Sequence, residues 1–424
     1  MFQTPDANVD SRHLRILVIT STYPRSDGDY AVPWLRESLS RLAARGHEVT
    51  VLAPSYRGLR SHEIDGIPVH RFRYWPRRWE SLTHEEGATN KIPVVNPLFQ
   101  LLGVPYIAKG SLASGWLAAR RRFDVIHSHW PFPHGIMAAT ARLFGSAPVV
   151  ANCHGAEFAL ARRKSWVRPV LRWALRSSEM VVCNSSHTAQ EIRALSGREA
   201  RIIPYGSTVR GRPTALPLND VSKILFTGRL IERKGVEYLI AAMPLILAQR
   251  PAILQITGNG HRRESLERFA NSLGLQDTVQ FLGFVSNERL DQLYADCDVY
   301  VNPSIVDERG DTEGLGVGPL EAFAHGRPVV ASAVGGITDV VKHQETGLLV
   351  PEKDEGALAR GILEVLADPS RAAGLAMAGL EYARQWFDWG QITDRLEEVY
   401  MQAIVDYRAR RPRPHTAPVG ARLQ

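Results

Sequence analysis

Cysteine is nearly missing from this chain: Cys153, Cys183 and Cys297 are the only three among 424 residues. An odd and scattered set argues against a disulfide framework, suits a reducing compartment, and lacks the paired spacing of a structural metal site. Long apolar runs are missing as well. The longest uncharged stretch, residues 92–108, is broken by Pro93, Pro97 and Pro105 and carries Asn96 and Gln100, which makes it a poor membrane span. Residues 1–12 are polar, with no apolar segment of the kind a secretory leader needs. A cytoplasmic protein is expected, soluble or peripheral on the inner membrane face. No G-x-G-x-x-G follows the first apolar run, so a dinucleotide site is not supported, and no recognised nucleic-acid module is present.

What is present is ordinary for a folded protein: 44% hydrophobic and 22% charged residues. The length exceeds what one core serves, so two domains are expected. A net charge of +7 favours an anionic partner without naming it. Residues 14–19 and 49–52 are apolar, β-branched runs separated by a turn-rich loop and a helix-length segment, which is a βαβ unit. Further buried strands read at 125–127, 149–152, 180–183 and 201–203. A second series follows at 224–227, 254–257, 279–281, 299–302, 329–332 and 348–350. Between the two series, Gly206, Gly211, Pro213 and Pro217 mark a linker. The expected organisation is a first α/β domain over 14–205, a linker over 206–220, and a second over 221–386. A C-terminal helix over 387–407 should pack back on the first domain, with unstructured ends at 1–13 and 408–424. The fold class is α/β, two doubly wound Rossmann-like domains facing across a cleft.

The densest chemistry lies at Glu313-Gly314-Leu315-Gly316-Val317-Gly318-Pro319-Leu320-Glu321, where two carboxylates stand eight residues apart around alternating glycines. Glycine lets backbone pass close to a ligand, and Pro319 is expected to open a short helix at its favoured first position. Gly228, Arg229 and Lys234 follow the strand at 224–227. Such a loop is either a solvated basic turn or a diphosphate clamp, with Arg229 bidentate and Lys234 a point charge. His154 stands at another strand end, beside Gly155. His127, His129 and His134 have no nearby carboxylate, and Asp27-Gly28-Asp29 and Asp296-Cys297-Asp298 are chance-level D-x-D matches, so no metal is expected. Between Arg162 and Arg176 the chain reads as a basic amphipathic helix. Arg168, Arg172 and Arg176 share one face, and Trp166, Val170 and Trp173 another. Together with Arg71, Arg73, Arg77, Arg78, Trp75 and Trp79 it suits an anionic membrane surface or a solvated core helix.

The combination resembles the GT-B glycosyltransferases of family GT4. It is carried by the Glu-x7-Glu motif from Glu313 to Ala322, by Gly228-Arg229-Leu230 with Lys234-Gly235, and by Gly258-Asn259-Gly260 with the 279–283 strand. Asp311-Thr312-Glu313-Gly314 and Tyr23-Pro24-Arg25 with Gly28-Asp29-Tyr30 look like bacterial members that build surface polysaccharides. The resemblance implies a retaining, metal-independent transfer of a sugar from a nucleotide diphosphate to an acceptor hydroxyl, with the first domain taking the acceptor and the second the donor. It places Glu321 at the ribose hydroxyls, Glu313 and His154 at the donor sugar, and Arg229 and Lys234 at the diphosphate. Gly228, Gly258, Gly314, Leu315 and Gly316 line the donor site, and Asn184 and Ser185 match an Asn-Ser of the family without an assigned role. No cofactor is implied beyond the nucleotide sugar, and the acceptor would be a glycan or a lipid-linked glycan. A nucleotide-sugar epimerase of the same fold, or a non-catalytic sugar-nucleotide or membrane-binding scaffold, are the alternatives. Two departures stand out: the family's Ile-Pro-Asn-Gly-Val-Asp is Ile203-Pro204-Tyr205-Gly206-Ser207-Thr208, and Gly318-Pro319 replaces the usual apolar pair.

Overall fold

A computed structural model describes residues 13–29, 31–83, 102–206, 213, 215–217 and 219–410. The readings made for residues 1–12 and 411–424, for Tyr30, for most of the linker and for all of residues 92–101 lie outside the described residues. The strands are β1 (Arg15–Ile19), β2 (Glu48–Pro54), β3 (His62–Ile64), β4 (Ile67–Phe72), β5 (Val125–His129), β6 (Val149–Cys153), β7 (Met180–Cys183) and β8 (Arg201–Ile202). After the linker come β9 (Ser222–Thr227), β10 (Ala252–Thr257), β11 (Val279–Gly283), β12 (Val299–Asn302), β13 (Val329–Ser332) and β14 (Leu348–Val350). In the first part the helices are α1 (Pro33–Ala44), α2 (Gly103–Arg120), α3 (Pro131–Gly145), α4 (Ala156–Arg163), α5 (Val167–Ser177) and α6 (Ser186–Ser196). The second part holds α7 (Val236–Leu247), α8 (Arg263–Ser272), α9 (Asn287–Asp296), α10 (Val317–Ala324), α11 (Ile337–Val340), α12 (Glu355–Ala367), α13 (Pro369–Phe387) and α14 (Trp389–Ala409).

Two sheets result. The first runs β3-β4-β2-β1-β5-β6-β7-β8 and the second β11-β10-β9-β12-β13-β14. All pairings are parallel except β3 with β4. Parallel strands are buried on both faces, which is why they read as continuous apolar runs. β3 and β4 escape that rule: they form a short edge hairpin turned by Asp65-Gly66, and their alternating, proline-containing sequence carries no such run. Strand order reverses between β1 and β5 and between β9 and β12, and ligands of such folds bind outside the carboxyl ends of strands at those points.

Helix ends follow local chemistry. Pro33 and Pro369 sit in first turns, where the missing N–H costs nothing. Ser185, Asp354 and Asp368 cap α6, α12 and α13 by accepting from backbone amides, and Asp388 does the same at α14. α14 leaves the second domain and packs on the first. Trp389, Ile392, Leu396, Val399, Tyr400, Ala403 and Ile404 join the core that α1 makes with the first sheet. The opposite face of that sheet is covered by a layer in which α2 packs on α3 and α3 on α5.

Candidate active site

The loop after β12 carries Glu313 and leads into α10, which carries Glu321. α10 starts at Val317, two residues before Pro319, so the proline lies within the first turn rather than opening it. Glu313 is buried, and its Oε2 accepts from Lys234 and, at 3.0 Å, from Arg233 Nη1. Arg233 also faces Asp311 at 3.6 Å. Burial by itself would raise the Glu313 carboxyl, but the two cations outweigh it and hold the group at about 2. The same burial pushes the Lys234 ammonium down, offset in part by Glu313. Arg233 is the residue the motif reading passes over. Only the 3-10 turn at Glu232–Lys234 brings adjacent side chains to one carboxylate.

Glu321 lies one turn into α10, and its Oε2 accepts from Tyr294 Oη at 2.8 Å. Tyr294 in turn meets Thr227 Oγ1 at 2.9 Å, and Tyr300 Oη reaches the same threonine at 3.3 Å. Burial raises the Glu321 carboxyl above its usual value. One departure from the family pattern is explained here. A Cβ on Gly318 would stand 2.0 Å from Tyr300 Oη, so the tyrosine pair and a side chain at 318 exclude each other. Gly258 brings the β10 loop against the β9 loop: its φ is +105°, and a Cβ would lie 2.0 Å from the carbonyl oxygen of Gly228. Arg229 is exposed beside these glycines, at the mouth of the cradle.

The first domain supplies the opposite wall. A Cβ on Gly314 would be 3.0 Å from Asn184 Nδ2 and 3.3 Å from the carbonyl oxygen of His154, so the glutamate loop touches the β6 and β7 ends directly. Ser186 donates through backbone and hydroxyl to Asp339 at 2.6 and 2.7 Å, and Arg162 donates to the Gly310 carbonyl at 2.6 Å, which ties the two walls together. The sequence reading thus falls on one place. Glu313, Lys234, Gly228, Gly258, Gly314, Leu315 and Gly316 gather at the carboxyl ends of β9, β10 and β12. Glu321 lies a short way along α10, and His154 and Asn184 face them.

Both ring nitrogens of His154 have partners within the protein. Its Nε2 is 3.0 Å from His129 Nδ1, and its Nδ1 is 2.7 Å from Tyr205 Oη. Burial drives its basicity down to about 3 and that of His129 well below normal, so both are neutral. His127 pairs with Tyr400 Oη and His134 with Tyr106 Oη and two carbonyls. Among the described residues no group of three or more His, Cys, Asp or Glu is arranged to hold a metal ion. Glu157, also buried, accepts from the His154 amide at 2.9 Å, and burial lifts it to about 7.

The basic stretch from Arg162 to Arg176 is not one helix. It breaks between α4 and α5, and Arg172 and Arg176 donate to the Leu195 and Ser196 carbonyls at the end of α6. Those two arginines cap a helix end rather than face a partner.

Against known proteins, residues 34–207 match the model described as Glycosyltransferase Family 4, and residues 214–386 that described as Glycosyl transferases group 1. The chain is 31% identical to a GDP-mannose-dependent monoacylated alpha-(1-6)-phosphatidylinositol monomannoside mannosyltransferase of Corynebacterium glutamicum, over 91% of this chain and 97% of the relative. It belongs to the family 4 glycosyltransferases. A Mycobacterium tuberculosis GDP-mannose-dependent alpha-(1-6)-phosphatidylinositol monomannoside mannosyltransferase is 29% identical to this glycosyltransferase, over 91% and 97% of the two chains. Sucrose-phosphate synthase from Thermosynechococcus elongatus superposes with a TM-score of 0.73 at 24% identity, covering 92% of this glycosyltransferase and 99% of the synthase. Anabaena HepE, in complex with UDP-glucose, superposes with a TM-score of 0.68 at 21% identity, covering 92% and 100%. These two likenesses show the GT-B fold.

Proposed function

We propose that this glycosyltransferase moves a sugar from a nucleotide diphosphate to an acceptor hydroxyl with retention of anomeric configuration, without a metal, in cell-surface glycan assembly. The observation that carries the reading is the Glu313 carboxylate held between Lys234 and Arg233, at a strand-order reversal and against His154 and Asn184 of the other domain. In this reading Arg229 and Lys234 hold the diphosphate, and their charge stabilises it as it leaves. Glu313 keeps Lys234 charged despite burial and meets the donor sugar. Glu321, aimed by Tyr294, takes the ribose hydroxyls, and the amides of 314–316 serve the sugar or phosphate. The bond from the anomeric carbon to the diphosphate breaks as the acceptor oxygen attacks the same face, and the acceptor proton passes to a diphosphate oxygen. The relatives act on phosphatidylinositol mannosides with GDP-mannose by name, which favours a lipid-linked acceptor here.

A surface for that acceptor's membrane lies on the α2–α3–α5 layer. Lys109, Arg120, Arg121, Arg122 and Arg168 are exposed on or just after these helices, which contain no acidic residue. On α2, Val104, Leu112 and Trp116 are 69%, 67% and 51% exposed at helical spacing, beside Leu143 and Phe144 at the end of α3. Trp166 and Trp173 stand exposed on and just before α5. Apolar side chains and cations without acids match an anionic bilayer. No helix among the described residues is long and apolar enough to cross one.

A thermal-shift panel of nucleotide sugars tests the donor. A ligand at a hundred times its dissociation constant adds about 2.7 kcal/mol, so the true donor raises the melting point while other nucleotides do not. A panel without any shift rejects the assignment. Flotation with phosphatidylglycerol vesicles at low salt tests the surface: the parent floats and Leu112→Asp/Trp116→Asp does not. Failure of the parent to float, or a parent that dimerises through this face instead, rejects the bilayer.

A further inference from the structure

Tyr205 occupies the place where the family pattern has asparagine, and its surroundings give that exchange a purpose. Its hydroxyl lies 2.7 Å from His154 Nδ1 and 3.2 Å from Asn184 Nδ2. Its ring stacks on Trp34, with centroids 4.4 Å apart and planes inclined by 22°, and also packs against the core of the second domain. Trp34 is itself 4.8 Å from the His154 ring, and Trp130 is 4.5 Å from it on another side. Two residues that set these tryptophans adopt left-handed backbone: Val32 with φ +46° and Trp130 with φ +51°. For a β-branched residue such as Val32 that conformation is costly and persists only where the surroundings enforce it. Tyr205 is also the last residue before the linker, and the linker's first residue, Gly206, lies against Trp389, where the chain crosses back.

The proton positions follow from the partners. Asn184 Oδ1 accepts from Thr188 Oγ1 at 2.9 Å, which fixes its amide so that Nδ2 donates to Tyr205. Tyr205 therefore spends its one proton on His154 Nδ1. A neutral His154 then carries its proton on Nε2 and donates to His129 Nδ1, which leaves His129 with its own proton on an Nε2 that has no partner in its buried site. The line Asn184, Tyr205, His154, His129 runs in one direction from the interdomain seam into the first domain.

We infer that Tyr205 is a positioning residue for this reaction, its hydroxyl fixing the tautomer and ring orientation of His154 at the point where the two domains meet. Asparagine at 205 is too short to stack on Trp34 while reaching the imidazole, so this chain has a specificity for ring placement that the family pattern lacks. The role in turnover rests on the reading of His154 as the donor-sugar histidine; the role in setting the tautomer does not.

Full-length protein labelled with nitrogen-15 histidine separates the two. Long-range proton–nitrogen spectra, with His154→Asn used for assignment, are expected to show His154 as the Nε2–H tautomer with a hydrogen-bonded Nδ1. In Tyr205→Phe, which keeps the stacking, the His154 signals should move toward a tautomer mixture. Those of His134, whose Nδ1–H is pinned by two carbonyls, should stay. Unmoved His154 signals overturn the positioning role whatever the kinetics. Turnover of the donor found by the panel should fall about tenfold in kcat, with KM changed less than twofold, as for one hydrogen bond lost in the transition state. Moved signals with unchanged kcat leave the positioning role standing and overturn the assignment of His154 to the sugar.

Discussion

Replacing Glu313 by glutamine keeps the shape of the side chain and removes its charge, leaving the mostly covered Lys234 without its carboxylate and Arg233 with Asp311 alone, at 3.6 Å. In the folded state the carboxyl is held at about 2, against an ordinary value of 4.5. A tenfold change in proton affinity corresponds to about 1.4 kcal/mol, so ionised Glu313 contributes about 3 kcal/mol at neutral pH. A carboxylate held below its unfolded value gives stability that is fully present above the unfolded value and is lost as pH falls toward the folded one. By the same relation the contribution falls to about 2 kcal/mol at about pH 3.5. Calorimetry of Glu313→Gln should therefore show a melting point lower by roughly 6 to 12 °C at pH 7, with the gap to the parent narrowing as pH is lowered through 4.5. Equal melting at pH 7, or a gap independent of pH down to 3.5, would refute the ion-pair reasoning.

Other outcomes follow from the same geometry. Gly258→Ala forces a Cβ to within 2.0 Å of the Gly228 carbonyl in a left-handed backbone and should cost about 3 kcal/mol or more, seen as reduced urea resistance and lost donor binding together. Glu157, raised by burial to about 7, keeps its proton in the folded state after the unfolded chain has released it. Its contribution to stability is therefore fully present below about 4.5 and is lost as pH rises through 7. Glu157→Gln should gain on the parent between pH 5 and 8, which melting across that range checks. Glu321→Ala should weaken nucleotide binding by about tenfold or more in titration calorimetry while leaving the fold intact, and Tyr294→Phe, which only aims that carboxylate, by less.

The parts of the fold that were legible share a cause. Buried parallel strands are apolar throughout, so β1, β7, β12, β13 and β14 can be read from composition, whereas β3 and β4 form an edge with a polar, alternating sequence. α2 escapes notice because Pro105 reads as a break alongside Pro93 and Pro97, although it falls in the first turn of the helix. The site was legible where family motifs fall on loops, as at Glu313 and Lys234. Arg233 was not, because nothing in its spacing says that a 3-10 turn places it on the same carboxylate as its neighbour. Between Arg162 and Arg176 the partners of two arginines were not legible: Arg172 and Arg176 meet the end of α6, a contact made only by folding. The changes at Tyr205 and Gly318 make sense only beside His154 and Tyr300, which are far away in sequence.

The most direct test of the cradle is nucleotide release from the donor that stabilises the parent, measured for the parent and for Arg229→Ala/Lys234→Ala. A diphosphate held by these two cations predicts loss of turnover by about a thousandfold or more in a protein that still melts cooperatively, since each stabilises charge that develops as the diphosphate leaves. Undiminished turnover in the folded double variant would contradict the account.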